Sequence, residues 1–284
     1  VSAHPRLSIN QATIKYASLE VALDVVADAG VSSIGLWREP VAEVGLTSAV
    51  RMVADSGLRV SSLCRGGFFT MTEGPARRDS IGENKRAIDE TAALGAPTLV
   101  LVAGGLPAGS RDLAGARERV RDAIGELAPY AASAGISLAI EPLHPMYASD
   151  RAVVSTLGQA LDIAQQFPPD VVGVVVDTFH VWWDPDVLQQ IARAQGHIAS
   201  YQVCDWATPL PDDVLLARHY PGDGSIDFAP LTRAVLEAGY TGDIEVEIFN
   251  QKIWDEQPHT VVRRTIETFD LAITPDLRVT SDLT

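Results

Sequence analysis

Val172-Gly-Val-Val-Val-Asp177-Thr-Phe-His180-Val-Trp-Trp183 decides how this chain is read. It opens as an unbroken apolar run, the pattern of a strand buried on both faces, where a strand with one wet face would alternate. The run then delivers a carboxylate, Asp177, an imidazole three residues later, His180, and two tryptophans. Strands buried on both faces belong to parallel sheets, and polar residues at such a strand's C-terminal end mark a candidate site.

Similar runs stand on either side of it. Candidate strands are Leu7–Ile14, Ser32–Trp37, Leu58–Cys64, Thr98–Ala103, Ser137–Leu143, Val172–Asp177, Ile198–Cys204 and Asp243–Phe249. Between them lie segments of helical period. Leu113, Ala116, Val120, Ile124, Leu127 and Ala131 form one stripe; Leu231, Ala234, Val235 and Ala238 form another. The punctuation repeats as well. Ala29-Gly30, Ser56-Gly57, Leu94-Gly95, Ala134-Gly135 and Ala238-Gly239 each read as a helix end just before a strand, with glycine in the left-handed closing position. Ser18 and Asp227 read as helix starts.

Eight strand–helix units in 284 residues predict an α/β protein of one domain, a (β/α)8 TIM barrel over residues 1–272 with an irregular extension over 273–284. A doubly wound open sheet competes less well, because no Gly-rich phosphate turn follows the first strand.

Composition narrows the function. A formal charge of −15 argues against a nucleic-acid binder, which needs a basic stripe. Two distant cysteines, Cys64 and Cys204, make neither a zinc framework nor a disulfide scaffold, and a reducing, cytoplasmic setting is expected. No run of about 18 apolar residues suggests a membrane span. The start at Val1 without Met is taken as N-terminal processing.

In a barrel of this kind the active face is built from the C-terminal strand ends. Glu141, Asp177 and Glu247 each interrupt an apolar run at such an end. Buried carboxylates are costly unless paired or bound to metal, and three on one mouth repel one another. A divalent cation relieves that repulsion. Gln202, on the strand between, offers an amide oxygen as a fourth ligand. Four oxygens suit a hard ion, Mn²⁺ or Mg²⁺. Salt bridges to Arg65 or Arg218 are the metal-free alternative. All five tryptophans, Trp37, Trp182, Trp183, Trp206 and Trp254, fall at or just after strand ends. Trp37, Trp183 and Trp206 are expected as pocket walls against the C–H faces of a sugar or ring polyol. Gly104-Gly105 is a turn able to approach a phosphate, but no lysine stands near it.

Five pieces carry a family resemblance: Ile140-Glu141-Pro142-Leu143, Val176-Asp177-Thr178-Phe179-His180, Tyr201-Gln202-Val203-Cys204-Asp205, Pro221-Gly222-Asp223-Gly224 and Val246-Glu247-Ile248-Phe249-Asn250. In this order they resemble the xylose-isomerase-like barrel superfamily, in the branch of tagatose 3-epimerase, hydroxypyruvate isomerase and the inositol-catabolism isomerases and dehydratases. The resemblance implies one divalent metal held by Glu141, Asp177, Gln202 and Glu247. Mn²⁺ is the first expectation, with Mg²⁺, Co²⁺ or Zn²⁺ as alternatives. It makes His180 and Arg218 substrate contacts, and His144 and His219 are read the same way. It implies a small sugar or polyol substrate, an assembly of identical subunits, and proton transfer by Glu141 and Glu247 through an enediolate. The outcome is isomerisation or epimerisation. The alternative is a lyase or dehydratase acting on an oxo-sugar, inosose or 3-oxo-glycoside at the same site. The departure from the family pattern is Gln202, where many members carry histidine. A DNA-repair endonuclease on this barrel would need several more histidines and a basic face. A barrel that only binds sugar would not need both glutamates.

Overall fold

The computed structural model describes residues 3–71 and 74–279. Eight parallel strands close into a barrel: β1 (Leu7–Asn10), β2 (Ser33–Trp37), β3 (Arg59–Gly67), β4 (Thr98–Val102), β5 (Ser137–Glu141), β6 (Val172–Asp177), β7 (Ile198–Val203) and β8 (Ile244–Val246). Each pairs with its neighbours in sequence order, and β1 closes the ring on β8, with Leu7 opposite Ile244. The single-domain (β/α)8 expectation stands.

The helices form where the pattern places them. Ser18 caps Leu19–Asp28, its hydroxyl accepting from the Val21 N–H at 3.3 Å. In Leu113–Ala134 the residues Ala116, Val120, Ile124, Leu127 and Ala131 are all buried against the barrel. Gly135 ends that helix at φ 70°, a conformation any side chain would strain. Among the described residues no helix is long and apolar enough to cross a membrane.

Several boundaries differ from expectation, among them β3, which runs on to Gly67, and β5, which stops at Glu141. β1 stops at Asn10, because the Asn10 side chain accepts from the Ala12 N–H at 2.9 Å and turns Gln11–Ile14 into a 3₁₀ helix. β8 ends at Val246, so Glu247 stands just beyond the strand. The extension is not irregular as far as it is described. Thr274–Val279 is a helix in which Pro275 sits in the first turn, where no N–H is needed. Buried Ile273 and Leu277, and a 2.9 Å ion pair from Arg233 to Asp276, dock it on the barrel. Residues 280–284 of the predicted extension lie outside the described residues.

The barrel interior has two characters. Cys64, Val100, Ala139 and Val175 form a small apolar cluster on one side. On the other side the inward positions are polar: Asn10, Ser62, Gln202 and Glu245 are all buried. Glu245 is the centre of this half. Its carboxylate accepts from Asn10 Nδ2 at 2.6 Å, from Ser61 Oγ at 2.5 Å, from Ser62 Oγ at 2.9 Å and from Gln202 Nε2 at 3.3 Å. Gly35 leaves the room for it; a Cβ there would lie 2.6 Å from the carboxylate. Burial raises the Glu245 pKa, while the hydrogen bonds from Ser61, Asn10 and Ser62 pull the other way. Four donors are what allow a carboxylate at the centre of a core.

Candidate active site

The C-terminal strand ends surround a cavity of about 750 Å³. Glu141, His180, Arg218 and Glu247 line it, with Trp37, Arg65, Tyr147, Phe179 and Phe249 among its walls. Each polar group arrives by a local device. Glu141 is the last residue of β5 and Asp177 the last of β6. Asp177 also caps the short helix Thr178–Val181, accepting from the Phe179 N–H at 2.8 Å, and this helix turns His180 back over the strand end. Glu247 follows Glu245 by two, so strand alternation sends both to the interior. Arg218 comes from a two-residue strand, Arg218–His219, paired antiparallel with Asp205–Trp206.

Arg218 is the hub. Its Nη1 lies 2.9 Å from Asp177 Oδ2 and 3.1 Å from Glu247 Oε2, and its Nη2 lies 3.0 Å from His180 Nε2. The guanidinium sits 4.8 Å from the Phe179 ring centre and 5.3 Å from that of Phe249. Burial works against its charge, but Asp177 and its neighbours outweigh this and hold Arg218 well above its ordinary pKa. Arg218 pairs directly with Asp177 and Glu247, and the Arg65 guanidinium also acts on Glu141 and Glu247 from farther off. Burial, together with the charges of Glu247 and Asp177, holds the Glu141 carboxyl well above the usual range. Burial likewise pushes Glu247 up to about 8, with Arg218 opposing the rise.

Both ring nitrogens of His180 face N–H donors: Nδ1 the His144 backbone N–H at 3.1 Å and Nε2 the Arg218 Nη2 at 3.0 Å, so a neutral ring accepts at one of them at a time. Burial keeps the ring neutral, its pKa well below the ordinary value. Glu141, Asp177 and His180 offer ligand atoms within 4.8 Å of one another. The Arg218 guanidinium beside Nε2 occupies the side of the ring that faces these carboxylates.

The sequence pattern of the xylose isomerase-like TIM barrel matches residues 23–271. The chain belongs to that family. Its similarity to the 3-dehydroshikimate dehydratase of Pseudomonas putida is 30% identity over 80% of this chain, and the chain spans about a third of that relative's length, 35%. An inosose isomerase of Halalkalibacterium halodurans is 24% identical, with 71% of this chain and 70% of that one covered. Among solved structures, protein SMc04130 of Sinorhizobium meliloti is 46% identical with a TM-score of 0.91, covering 94% of this chain and 98% of that one. The IOLI protein with a bound zinc atom superposes with a TM-score of 0.83 at 21% identity, over 95% and 98% of the two chains, which shows a shared fold.

The xylose isomerase-like site of this chain departs from the expected layout in two places. Gln202 stands opposite Asp177 on one side and Glu245 on the other. Its Nε2 is held by Glu245, while its Oε1 is buried with no hydrogen-bond partner among the described residues. The second departure concerns the aromatics. Trp37 lines the cavity, but Trp183, Trp206 and His144 are absent from its lining. They pack on one another instead: His144 lies 5.3 Å from both Trp183 and Trp206, and Trp206 lies 4.7 Å from Phe179. Trp183 Nε1 donates to the His180 carbonyl at 2.8 Å and so braces the helix that carries His180. Trp254 is buried, donating to the Ala12 carbonyl at 2.7 Å. The walls come instead from Tyr147, Phe179 and Phe249, with exposed Phe68 at the edge. Arg65 and Gln11 also line the cavity. Arg65, inside β3, was expected only as a salt-bridge partner of the carboxylates, and Gln11, directly after the end of β1, was given no role.

The donor set fits a divalent cation in its chemistry. Glu141 and Asp177 bring carboxylate oxygens together with His180, and Glu247 and the orphaned Gln202 amide oxygen are further oxygen donors at neighbouring strand ends, which favours a hard ion.

Proposed function

We propose that this chain moves a proton at the carbon beside a carbonyl of a ketose, keto-sugar or cyclic polyol ketone, as a divalent-metal-dependent isomerase or epimerase. One observation carries this reading. Two glutamates, Glu141 and Glu247, line one cavity, and burial lifts both carboxyls toward neutrality. Groups poised near the working pH are what general acid–base chemistry requires.

Glu141, Asp177, Gln202 and Glu247 would hold the cation, Mn²⁺ before Mg²⁺, Co²⁺ or Zn²⁺, and the bound ion supplies Lewis-acid polarisation of a carbonyl oxygen. The protein's own groups do the rest. One glutamate, as carboxylate, takes the proton from carbon, and the other, as carboxylic acid, delivers its own proton at a different carbon or face; exchange with solvent then resets the pair. His180, on the cavity wall beside Arg218, contacts a substrate oxygen and orients it. Arg218 keeps the carboxylates from repelling one another while the negative charge on the substrate grows. Tyr147, Phe179 and Phe249 exclude water around the reacting carbon.

The similarity to a dehydratase supports a second reading, in which the same deprotonated substrate expels a β-hydroxyl as water. Incubating the protein and Mn²⁺ with ketoses, inososes and 3-oxo-glycosides in heavy water tests both. Deuterium at the α-carbon with no product loss marks isomerase or epimerase chemistry, and loss of water or aglycone marks a lyase. No exchange with any substrate class and any divalent ion would sink the proposal.

A pH prediction accompanies the metal. Glu247 holds its proton up to about 8 when folded and near 4.5 when unfolded. Between those values the folded chain keeps a proton that the unfolded chain has lost. Stability therefore falls as pH rises through that window, and levels off above it. A cation replaces the proton, so Mn²⁺ should flatten or reverse the trend. Thermal melts with EDTA and with Mn²⁺, from about pH 5 to 9, check this. Parallel melting curves at every pH would contradict it.

A further inference from the structure

Arg218 meets the carboxylates proposed for the cation through the atoms an ion would need. Asp177 Oδ1 accepts from the Phe179 N–H, so Oδ2 is the oxygen left for an ion, and Arg218 Nη1 holds it at 2.9 Å. Glu247 Oε2 lies 3.1 Å from the same Nη1. His180 belongs to the group with Glu141 and Asp177 whose ligand atoms converge within 4.8 Å. Its Nε2 stands 3.9 Å from Glu141 Oε1 and 3.8 Å from Asp177 Oδ2, and Arg218 Nη2 faces that nitrogen at 3.0 Å. One guanidinium thus covers Asp177, His180 and Glu247 together. The backbone of Arg218 is fixed from elsewhere. It pairs with Trp206 in the two-stranded ribbon, and its carbonyl accepts from Asn250 Nδ2 at 2.9 Å. A long side chain on a fixed backbone, lining an open cavity, can release its partners without unfolding the strand that carries it.

We infer that Arg218 and the divalent ion are alternative occupants of these ligand atoms, and that the guanidinium thereby sets how tightly the barrel holds its metal. This rests on the proposed reading of Glu141, Asp177, Gln202 and Glu247 as ligands. An ion needs the lone pairs that the N–H groups take, and two cations side by side repel strongly where water is scarce. The ion therefore enters by exchange with the guanidinium, and the carboxylates keep a positive partner throughout. Affinity is held down, so occupancy follows the free ion concentration. The released guanidinium stays on the cavity wall, with its donors open to an oxygen of the substrate. The opposite role would be a support that orients the ligands for the ion. A supporting donor binds the ligand atom turned away from the metal, and Asp177 already has one in the Phe179 N–H. Arg218 instead takes the atoms that face the group. Arg65 acts on Glu141 and Glu247 from farther off, and supplies the comparison of charge without contact.

Calorimetric Mn²⁺ titration of the full chain, at one pH and ionic strength, reads this without turnover. Arg218→Met should bind Mn²⁺ about 10–1,000-fold more tightly than the parent, the scale of removing one unit charge from beside an ion where water is scarce. Arg65→Met removes the same charge without contact, and should tighten binding by a far smaller factor. Arg218→Lys should fall between the parent and Arg218→Met, because an ammonium keeps the charge but covers fewer of the ligand atoms. Mn²⁺ should also raise the Tm of Arg218→Met by more than that of the parent, since stabilisation by a ligand grows with its affinity. If Arg218→Met does not fold, Arg218→Lys against the parent decides. The inference is overturned if the parent binds Mn²⁺ as tightly as the Arg218 variants or more so. It is overturned as well if Arg65→Met tightens binding as much as Arg218→Met, because net charge alone would then explain the effect. Absence of Mn²⁺ binding in every protein overturns it together with the metal ligands proposed above. Heavy-water exchange alongside unchanged Mn²⁺ affinities removes this inference and leaves the proton-transfer reading standing.

Discussion

Glu247→Gln is expected to leave a folded barrel whose turnover drops about 10²–10⁴-fold, the usual contribution of a positioned acid–base group. The substitution keeps the shape of the side chain. The glutamine carbonyl can still accept from Arg218, whose Nη1 now lies 3.1 Å from Glu247 Oε2. What is lost is the ability to carry a proton, and one of the negative charges offered to a cation. Glu141→Gln should behave similarly. The double variant should lose little more than either single one, because residues that act as a unit are far from additive. Steady-state rates on whichever substrate exchanges deuterium, with circular dichroism to confirm the fold, provide the check. Full turnover in Glu247→Gln would remove the residue from the chemistry.

Arg218→Met should be the most destabilising single change at the site. Asp177 is fully buried, and Glu141 and Glu247 are almost so. Removing the cation leaves three carboxylates facing one another without water. Breaking a buried pair in this way costs about 3–5 kcal/mol, or a fall in Tm on the order of 10 °C for a chain of this size. Two conditions should soften the loss, and they separate electrostatics from packing. Lower pH protonates the glutamates, and saturating Mn²⁺ supplies the missing positive charge. Arg218→Lys should fall between, because a single ammonium cannot reach Asp177, Glu247 and His180 as the guanidinium does. Thermal melts across pH, with and without Mn²⁺, give the answer. An unchanged Tm in Arg218→Met would mean that the ion cluster contributes nothing to the fold.

The barrel was legible because its signals are local. Apolar runs such as Val172–Val176, and glycines such as Gly57 and Gly135, report strands and helix ends without knowledge of the partner. The strand ends were overread where loop residues are as apolar as strand residues. Gln11–Ile14 and Ile248 are buried for tertiary reasons that no window of sequence contains. The carboxylates announced themselves by interrupting apolar runs. Arg65 did so less clearly, since an arginine near a strand end is common and its place over Trp37 and Phe68 depends on the fold. The tryptophans misled for a related reason. Position at the active end of the barrel is shared by Trp37, which faces the cavity, and by Trp183 and Trp206, which face other rings. Glu245 went unremarked although its spacing from Glu247 places both inside, because its four donors are spread over β1, β3 and β7.

The arrangement beneath Gln202 bears on how this barrel can change. A carboxylate that holds one N–H of a side chain while leaving its other end free is the same split that orients an imidazole on a metal. Glu245 already does this for an amide. Position 202 is therefore open to exchange between glutamine and histidine, provided Glu245 stays where Gly35 makes room for it. An evolutionary path between an oxygen-rich and an imidazole-bearing site then passes through one codon at 202. Drift at 35 or 245 closes that path without touching a residue that meets the substrate.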